Sequence, residues 1–398
     1  MPNSAARISI AYSLLTLSDG ALRMIVLFHY STLGYNALSL AGVFASYELC
    51  GVIVNLFGGV VAQRLGLLTT MRLGLILQIM TLIGIAIPSQ IPPVAYLMVL
   101  QGFAGIAKDL TKISAKSSMT AMNDHQSGLF GAIALLTGAK NTLKGIGFFV
   151  GGLLFVAFGM RIALSGLAAI VAIGLGLTLQ LTSSTGIAKI KQFAGIFAQS
   201  AAVNRLSVAR FFLFGARDIW LAIALPLFMA HAPGWGFWQS GSVMALYTIG
   251  YGAVQAGTPR ILAGQRAPDG RLTALLAGAP LAVCLGSAAL AYQFGANVWG
   301  ILAAVCVFSL LFALNSAVHS YLIAAYAARD AISLNIGFYY SANALGRLVG
   351  TLLSGWCYVQ WGIVGSMLVA AIMFLPAALC AWPLPAPRGQ IAVSTDIE

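Results

Sequence analysis

Runs of about 18–25 predominantly apolar residues recur along the whole chain. As helices rising about 1.5 Å per residue, each is long enough to cross a bilayer core of about 30 Å. Backbone amides find no water in that core, so such runs must satisfy their hydrogen bonds internally, as helices. Twelve candidate spans lie near 8–30, 39–62, 69–88, 94–116, 128–157 and 161–182, then 206–230, 238–262, 272–292, 298–325, 332–358 and 362–383. With 60% apolar and 8% charged residues, the chain is not an ordinary soluble domain. The expected fold is all-α integral membrane, with twelve transmembrane helices in two pseudo-symmetric six-helix bundles. The first span carries Asp19 and Arg23 and no small-residue cleavage site, so it reads as a retained helix rather than a signal peptide. The five cysteines lie in or beside apolar runs and are odd in number, which argues against a disulfide framework. No metal-ligand spacing occurs, and neither a metal nor a cofactor is expected.

The net charge of +12 raises the question of nucleic acid, and its distribution answers it. Arg7, Arg64, Arg72, Lys116, Lys189, Lys191, Arg205, Arg260, Arg266, Arg271, Arg329 and Arg388 fall on one side of the twelve-span arrangement, and the other side has Arg161. That asymmetry follows the positive-inside rule. It predicts a multi-pass protein of the cytoplasmic (inner) membrane with both termini cytoplasmic, the lipid bilayer as its surroundings, and no nucleic-acid partner.

The longest polar interruption, Thr182 to Asn204, divides the spans six and six. The expected organisation is an N-terminal bundle (1–182), a cytoplasmic linker (183–204), a C-terminal bundle (205–384) and a cytoplasmic tail (385–398). The halves match at an offset of 199 residues without a gap. Gly42, Gly51, Gly58, Gly138, Gly147, Gly151 and Gly166 find Gly241, Gly250, Gly257, Gly337, Gly346, Gly350 and Gly365, and Asp19 finds Asp218. Random placement would match about two or three glycines, so these seven favour a duplication. Paired helical bundles with a midplane site between them are a transporter architecture.

Ionisable residues inside the spans are few, and they define the candidate site. Lys108, Lys112 and Lys116 are spaced four apart and line one helix face, with Asp109 beside them. Lys140 and Lys144 form a second cationic face in span five, next to Asn141. Arg210 and Arg217 share a face in span seven, with Asp218 adjacent. Asp19 and Arg23 are placed to neutralise each other across one turn. Glu48 lies in span two with Asn55 below it, Asn315 and His319 in span ten, and Tyr339, Tyr340, Asn343 and Arg347 in span eleven. His319 is expected to be a hydrogen-bonded core residue, and His29, His125 and His231 to lie at span ends or in loops. Eight basic groups (Arg23, Lys108, Lys112, Lys140, Lys144, Arg210, Arg217, Arg347) face four acids (Asp19, Glu48, Asp109, Asp218). If every acid pairs, about four positive charges are left, and unpaired buried charge is costly. The expected passenger is therefore anionic. Lysines 108, 112, 140 and 144 would hold one end from the first half. Arg210, Arg217 and Arg347 would hold the other from the second, with Tyr339, Tyr340 and Asn343 bonding its hydroxyls. Asp19, Arg23, Glu48, Asp109, Asp218 and His319 are candidates for ion pairing or proton coupling.

The loop after the second span resembles the signature G-x-x-x-D-R-x-G-R-R of the major facilitator superfamily. Gly59, Arg64 and Gly66 match it, while Gln63 replaces the acid and Leu67-Leu68 the basic pair. Five stretches resemble a narrower group: YELCGVIVNLFGGVVAQRLGL (47–67), QGFAGIAKDLTKISAKSS (101–118), LTGAKNTLKGIGFFVGGLL (136–154), SVARFFLFGARDIWLAIALPLF (207–228) and FYYSANALGRLVGTLLSGW (338–356). Together they are similar to the ArsJ-type organoarsenical efflux permeases. The resemblance implies export of 1-arseno-3-phosphoglycerate, arsenate resistance, and a glyceraldehyde-3-phosphate dehydrogenase as metabolic partner. A monomer is expected. Other organophosphates, or another organic anion exchanged for protons or phosphate, satisfy the same charge balance. A membrane-embedded transferase would need a nucleophile, metal cluster or phosphate loop, and none is found, so the chain does not read as an enzyme.

Overall fold

The computed structural model describes residues 2–88, 90–122, 129–181, 200–262, 268–326 and 332–386. Every regular element among them is an α-helix. In order these are α1 (Pro2–Thr32), α2 (Ala37–Leu65), α3 (Leu67–Ala86), α4 (Val94–Met122), α5 (Leu129–Leu179), α6 (Ala201–Leu221), α7 (Ala224–Ala230), α8 (Phe237–Ile261), α9 (Gly270–Phe294), α10 (Val298–Tyr326) and α11 (Ile332–Ala381). Eight stretches of the described residues are long and apolar enough to cross a membrane. The two longest, Lys140–Leu179 and Gly337–Ala381, are each two helices in series. Gly159 (φ 72°) divides α5 and Gly362 (φ 63°) divides α11. That left-handed backbone is open to glycine without steric cost.

Side chains close the helix ends. Asn36, Ser200 and Asp269 accept from the amides of Ser39, Val203 and Leu272, capping α2, α6 and α9. At the other end of α5, the guanidinium of Arg72 donates to the carbonyls of Thr178 and Leu181 at 2.6 and 2.8 Å. The expected span 206–230 is interrupted: α6 and α7 are separated at Ala222–Ile223. The amides of Ile223 and Ala224 donate instead to the hydroxyl of Ser354, both at 3.2 Å, so a break inside an apolar span stays satisfied. The expected linker also ends early, because Ser200 starts α6 at Ala201 rather than after Asn204. Residues 183–199, the tail beyond 386, His125, Lys189, Lys191, Arg266, Arg329 and Arg388 lie outside the described residues.

Two seams join the parts before and after that linker. In one, α2 packs on α11, and in the other α5 packs on α8. At the offset of 199 these are equivalent pairs in crossed order, since α2 corresponds to α8 and the first arm of α5 to the first arm of α11. Small residues bring the backbones together. A Cβ on Gly355 would stand 2.4 Å from that of Ala41, and one on Gly145 would stand 2.8 Å from the carbonyl of Ala245.

The matched glycines occupy equivalent elements but not equivalent registers. Gly147 and Gly151 lie against Leu17 and Ala21 of α1, whereas Gly346 and Gly350 lie against Phe211 and Gly215 of α6. The positions equivalent to Leu17 and Ala21 would be Ala216 and Trp220, so the second contact is displaced five residues along the helix. That slide goes with different partners for Asp19 and Asp218, as described below. A Cβ at Gly346 would sit 2.2 Å from the carbonyl of Phe211, whereas one at Gly278 meets nothing within 4 Å. Overpacking of this kind costs about 1–3 kcal/mol. Gly346→Val is expected to lower the thermal midpoint of the detergent-purified protein by several degrees and Gly278→Ala to leave it in place.

Candidate functional site

The sequence places charges on α1, α2, α6 and α11, and the packing draws them into one alternating chain. Arg23 lies 3.6 Å from Glu48. Glu48, only 1% exposed, also receives Nη2 of Arg347. The Nε of Arg347 reaches Asp218 at 3.1 Å, and Arg217 binds the other oxygen of Asp218 at 2.6 Å. Arg347 of α11 thus holds a carboxylate from each half of the chain. The expected Asp19–Arg23 pair does not form. The hydroxyl of Tyr47 donates to the carboxylate of Asp19 at 2.7 and 2.8 Å, and Arg23 turns to Glu48 and to the ring of Phe44. Partners on the neighbouring helix satisfy both groups, so the pairing within one turn loses.

The lysines gather around Asp109. Its two oxygens take Lys108, at 3.4 Å, and Lys112. Lys112 also donates to Asn55 at 2.8 Å, and Lys108 stands 4.1 Å over the ring of Tyr47. Lys140 is within electrostatic reach of Asp109. Lys144, on the same arm of α5, lies near the ring of Phe148 and within reach of Asp19, Arg23, Lys108 and Arg347. It forms no ion pair within 4 Å among the described residues. Lys116 also falls in α4.

Arg210 anchors the other flank. Its guanidinium lies 3.9 Å over Phe214, donates to Asn343 at 3.0 Å, and reaches the hydroxyl and carbonyl of Ser316 at 3.1 and 3.3 Å. It is 5% exposed and has no carboxylate within 4 Å among the described residues. A polar relay runs back to the lysines across the second seam. Asn141 bonds Gln255 at 2.8 Å, and Gln255 bonds Ser316 at 3.1 Å. The ring of Tyr339 lies 5.2 Å from Arg210, and His319 lies within reach of its charge. His319 is buried as expected, but its Nδ1 has no hydrogen-bond partner among the described residues. His29 lies among the rings of Tyr30 and Phe155, and exposed His231 bonds the carbonyl of Leu227.

The balance of charge follows from these contacts. Glu48, Asp109 and Asp218 are each shared by two cations, and Asp19 is held by a neutral tyrosine. Eight cations and four acids thus leave a surplus of about four positive charges among neighbouring helices. Such a surface attracts an acceptor-rich anion. Sequence reading picks out most of these cations and acids. It misses Tyr47, Tyr251, Gln255 and Ser316, which carry no charge; the signal for Gln255 is an amide inside an otherwise apolar span. A separate open cleft of about 540 Å³ lies away from this network, between His231, Trp235, Asn297, Trp299 and Tyr358. Breaking a buried pair by removing one partner costs about 3–5 kcal/mol, while removing both costs far less. Glu48→Gln and Arg347→Met are each expected to destabilise the protein more than the double variant does, as read from thermal midpoints in a double-mutant cycle.

No protein-family model matches the sequence, and neither does any curated protein sequence. The fold, by contrast, has solved neighbours. The chain is similar to a mutant of the nucleoside transporter NupG, with a TM-score of 0.71, 16% identity, and coverage of 96% of this chain and 98% of that one. It is also similar to the human organic anion transporter MFSD10 (TETRAN), with a TM-score of 0.68, 15% identity, and coverage of 96% and 100%. With its crossed seams, doubled helices and apolar spans, the chain shares the fold of these two transporter structures.

Proposed function

We propose that this chain is an efflux permease for an organic polyanion, with 1-arseno-3-phosphoglycerate as its passenger and arsenate resistance as the outcome. The observation that carries the reading is the positive surplus between the two halves, above all Lys144 and Arg210, which have no carboxylate within 4 Å among the described residues. One solved neighbour is an organic anion transporter and the other a nucleoside transporter. Surplus cationic charge favours the anion over the neutral nucleoside.

In this reading residues 1–182 and 205–384 are the two moving bundles, joined by the cytoplasmic linker, and both termini face the cytoplasm of an inner-membrane monomer. The bundles rock about the cationic face, and an anion that neutralises it favours the state which encloses it. Lys108, Lys112, Lys140 and Lys144 hold one anionic end, and Arg210, Arg217 and Arg347 the other. Across an inside-negative membrane each exported negative charge gains about 2.3 kcal/mol per 100 mV, so an anion of about three charges gains roughly 7 kcal/mol. Export then needs no coupled ion, although Asp19, Glu48 and Asp218 are placed to carry protons. A glyceraldehyde-3-phosphate dehydrogenase supplies the arsenylated passenger.

Uptake into everted vesicles tests the reading, with the arsenylated compound generated outside by added dehydrogenase and arsenate. Wild-type vesicles are expected to accumulate arsenic. Lys144→Gln, Lys140→Ala and Arg217→Ala should each cut the initial rate at least about tenfold. Equal rates in wild type and all three variants would remove the site. Uptake of 3-phosphoglycerate without arsenic would move the substrate to another organophosphate.

A further inference from the structure

Around Arg210, hydrogen-bond donors outnumber the acceptors the protein supplies. The hydroxyl oxygen of Ser316 has two lone pairs. Three donors converge on it: Tyr251 at 2.8 Å, Gln255 at 3.1 Å and Arg210 at 3.1 Å. Asn343 takes Nε of Arg210, and Nη2 makes no hydrogen bond among the described residues. Fully buried polar atoms without hydrogen-bond partners among the described residues lie in the same neighbourhood. They are the hydroxyl of Tyr339, whose ring faces Arg210, the Nδ1 of His319, and both side-chain polar atoms of Asn315. Asn315 precedes His319 by four residues and so shares its face of α10. Orphaned buried groups are costly, and charged ones more so. A purely apolar packing role for this cluster would have been met by leucines. A ligand that brings acceptors for the donors, and one donor–acceptor hydroxyl for Asn315, satisfies the whole set.

We infer that the buried polar cluster of Arg210, Ser316, Asn343, Asn315, His319 and Tyr339 is a discrete subsite that binds one oxyanion group of the passenger and reads a hydroxyl on its carbon skeleton. The ligand class is a small hydroxylated organic phosphate or its arsenate counterpart. This inference rests on the anion-permease reading and narrows it. Charge alone would accept any polyanion, whereas this subsite rejects one that lacks the hydroxyl, because Asn315 would be left unsatisfied.

The test is calorimetric binding to the purified full chain in lipid nanodiscs. The probes are 3-phosphoglycerate and the phosphate ester of 3-hydroxypropanoate, which differs by the missing hydroxyl. Wild type is expected to bind the hydroxylated probe about tenfold more tightly. Arg210→Met should weaken both by at least about tenfold. Asn315→Leu should bring the hydroxylated probe down to the other's level, leave the deoxy probe unchanged, and keep the thermal midpoint, since it removes only orphaned atoms. Equal affinities in wild type, or an Arg210→Met variant that binds both probes as wild type does, would overturn the subsite while leaving the permease reading intact. Binding of neither probe by wild type would overturn the subsite, and uptake of the arsenylated compound by wild-type vesicles would then decide the permease reading separately. Retained discrimination in Asn315→Leu would show the orphaned atoms to be met by structural water alone and would overturn the hydroxyl reading.

Discussion

One guanidinium, Arg347, lies between a carboxylate from each half of the chain, and much of the architecture is arranged to make that possible. Its partners Glu48 and Asp218 are buried on α2 and α6, and each is shared with a second arginine. Ionised groups at this depth are tolerated only when neighbours or water compensate them. Glycines at 346 and 350 bring α11 against α6, close enough for the arginine that follows the first of them to reach Asp218. The packing of small residues and the ionic chain are therefore one device.

The two seams are equivalent in topology and different in chemistry. The α2–α11 seam is closed by the Glu48–Arg347 ion pair, and the α5–α8 seam by the neutral amide pair Asn141–Gln255. The equivalents of Glu48 and Arg347 are Tyr247 and Phe148, so no ion pair can form at the corresponding place. In the proposed cycle both seams must rearrange, and the ionic one is the more sensitive to an arriving anion. A passenger's oxyanion competes with Glu48 for Arg347, whereas the amide seam has no charge to exchange. Lys144, beside the amide seam, and Arg210, at the end of its relay, have no carboxylate within 4 Å to give up among the described residues.

Much of the fold is legible in the sequence because apolar run length reports directly on helices able to cross a bilayer. The glycine offset identifies which helices are equivalent. It cannot report register, which depends on how far one helix slides along another; that slide sets Asp218 against Arg347 while Asp19 meets Tyr47. The pairing of Asp19 with Arg23, reasonable for an isolated helix, fails because α2 supplies partners for both. The charged members of the site stand out as rare letters in an apolar text. Ser316 and Gln255 do not, since a hydroxyl or a single amide in a span more often bonds its own helix, as Thr111 bonds Ala107 here. Only the packing shows that Ser316 is where three donors meet.

The central claim is that a protein-borne positive surplus is completed by a negatively charged ligand. Thermal unfolding of the purified chain against three-carbon ligands of graded charge tests it most directly. Neutral glycerol, glycerol 3-phosphate, 3-phosphoglycerate and a three-carbon diamine form such a series. Ligand stabilisation follows occupancy, about 2.7 kcal/mol at a hundredfold excess over Kd. The account predicts a midpoint that rises with the number of negative charges and stays still with glycerol and the diamine. Equal shifts with the neutral ligand, or a larger one with the diamine, would contradict it.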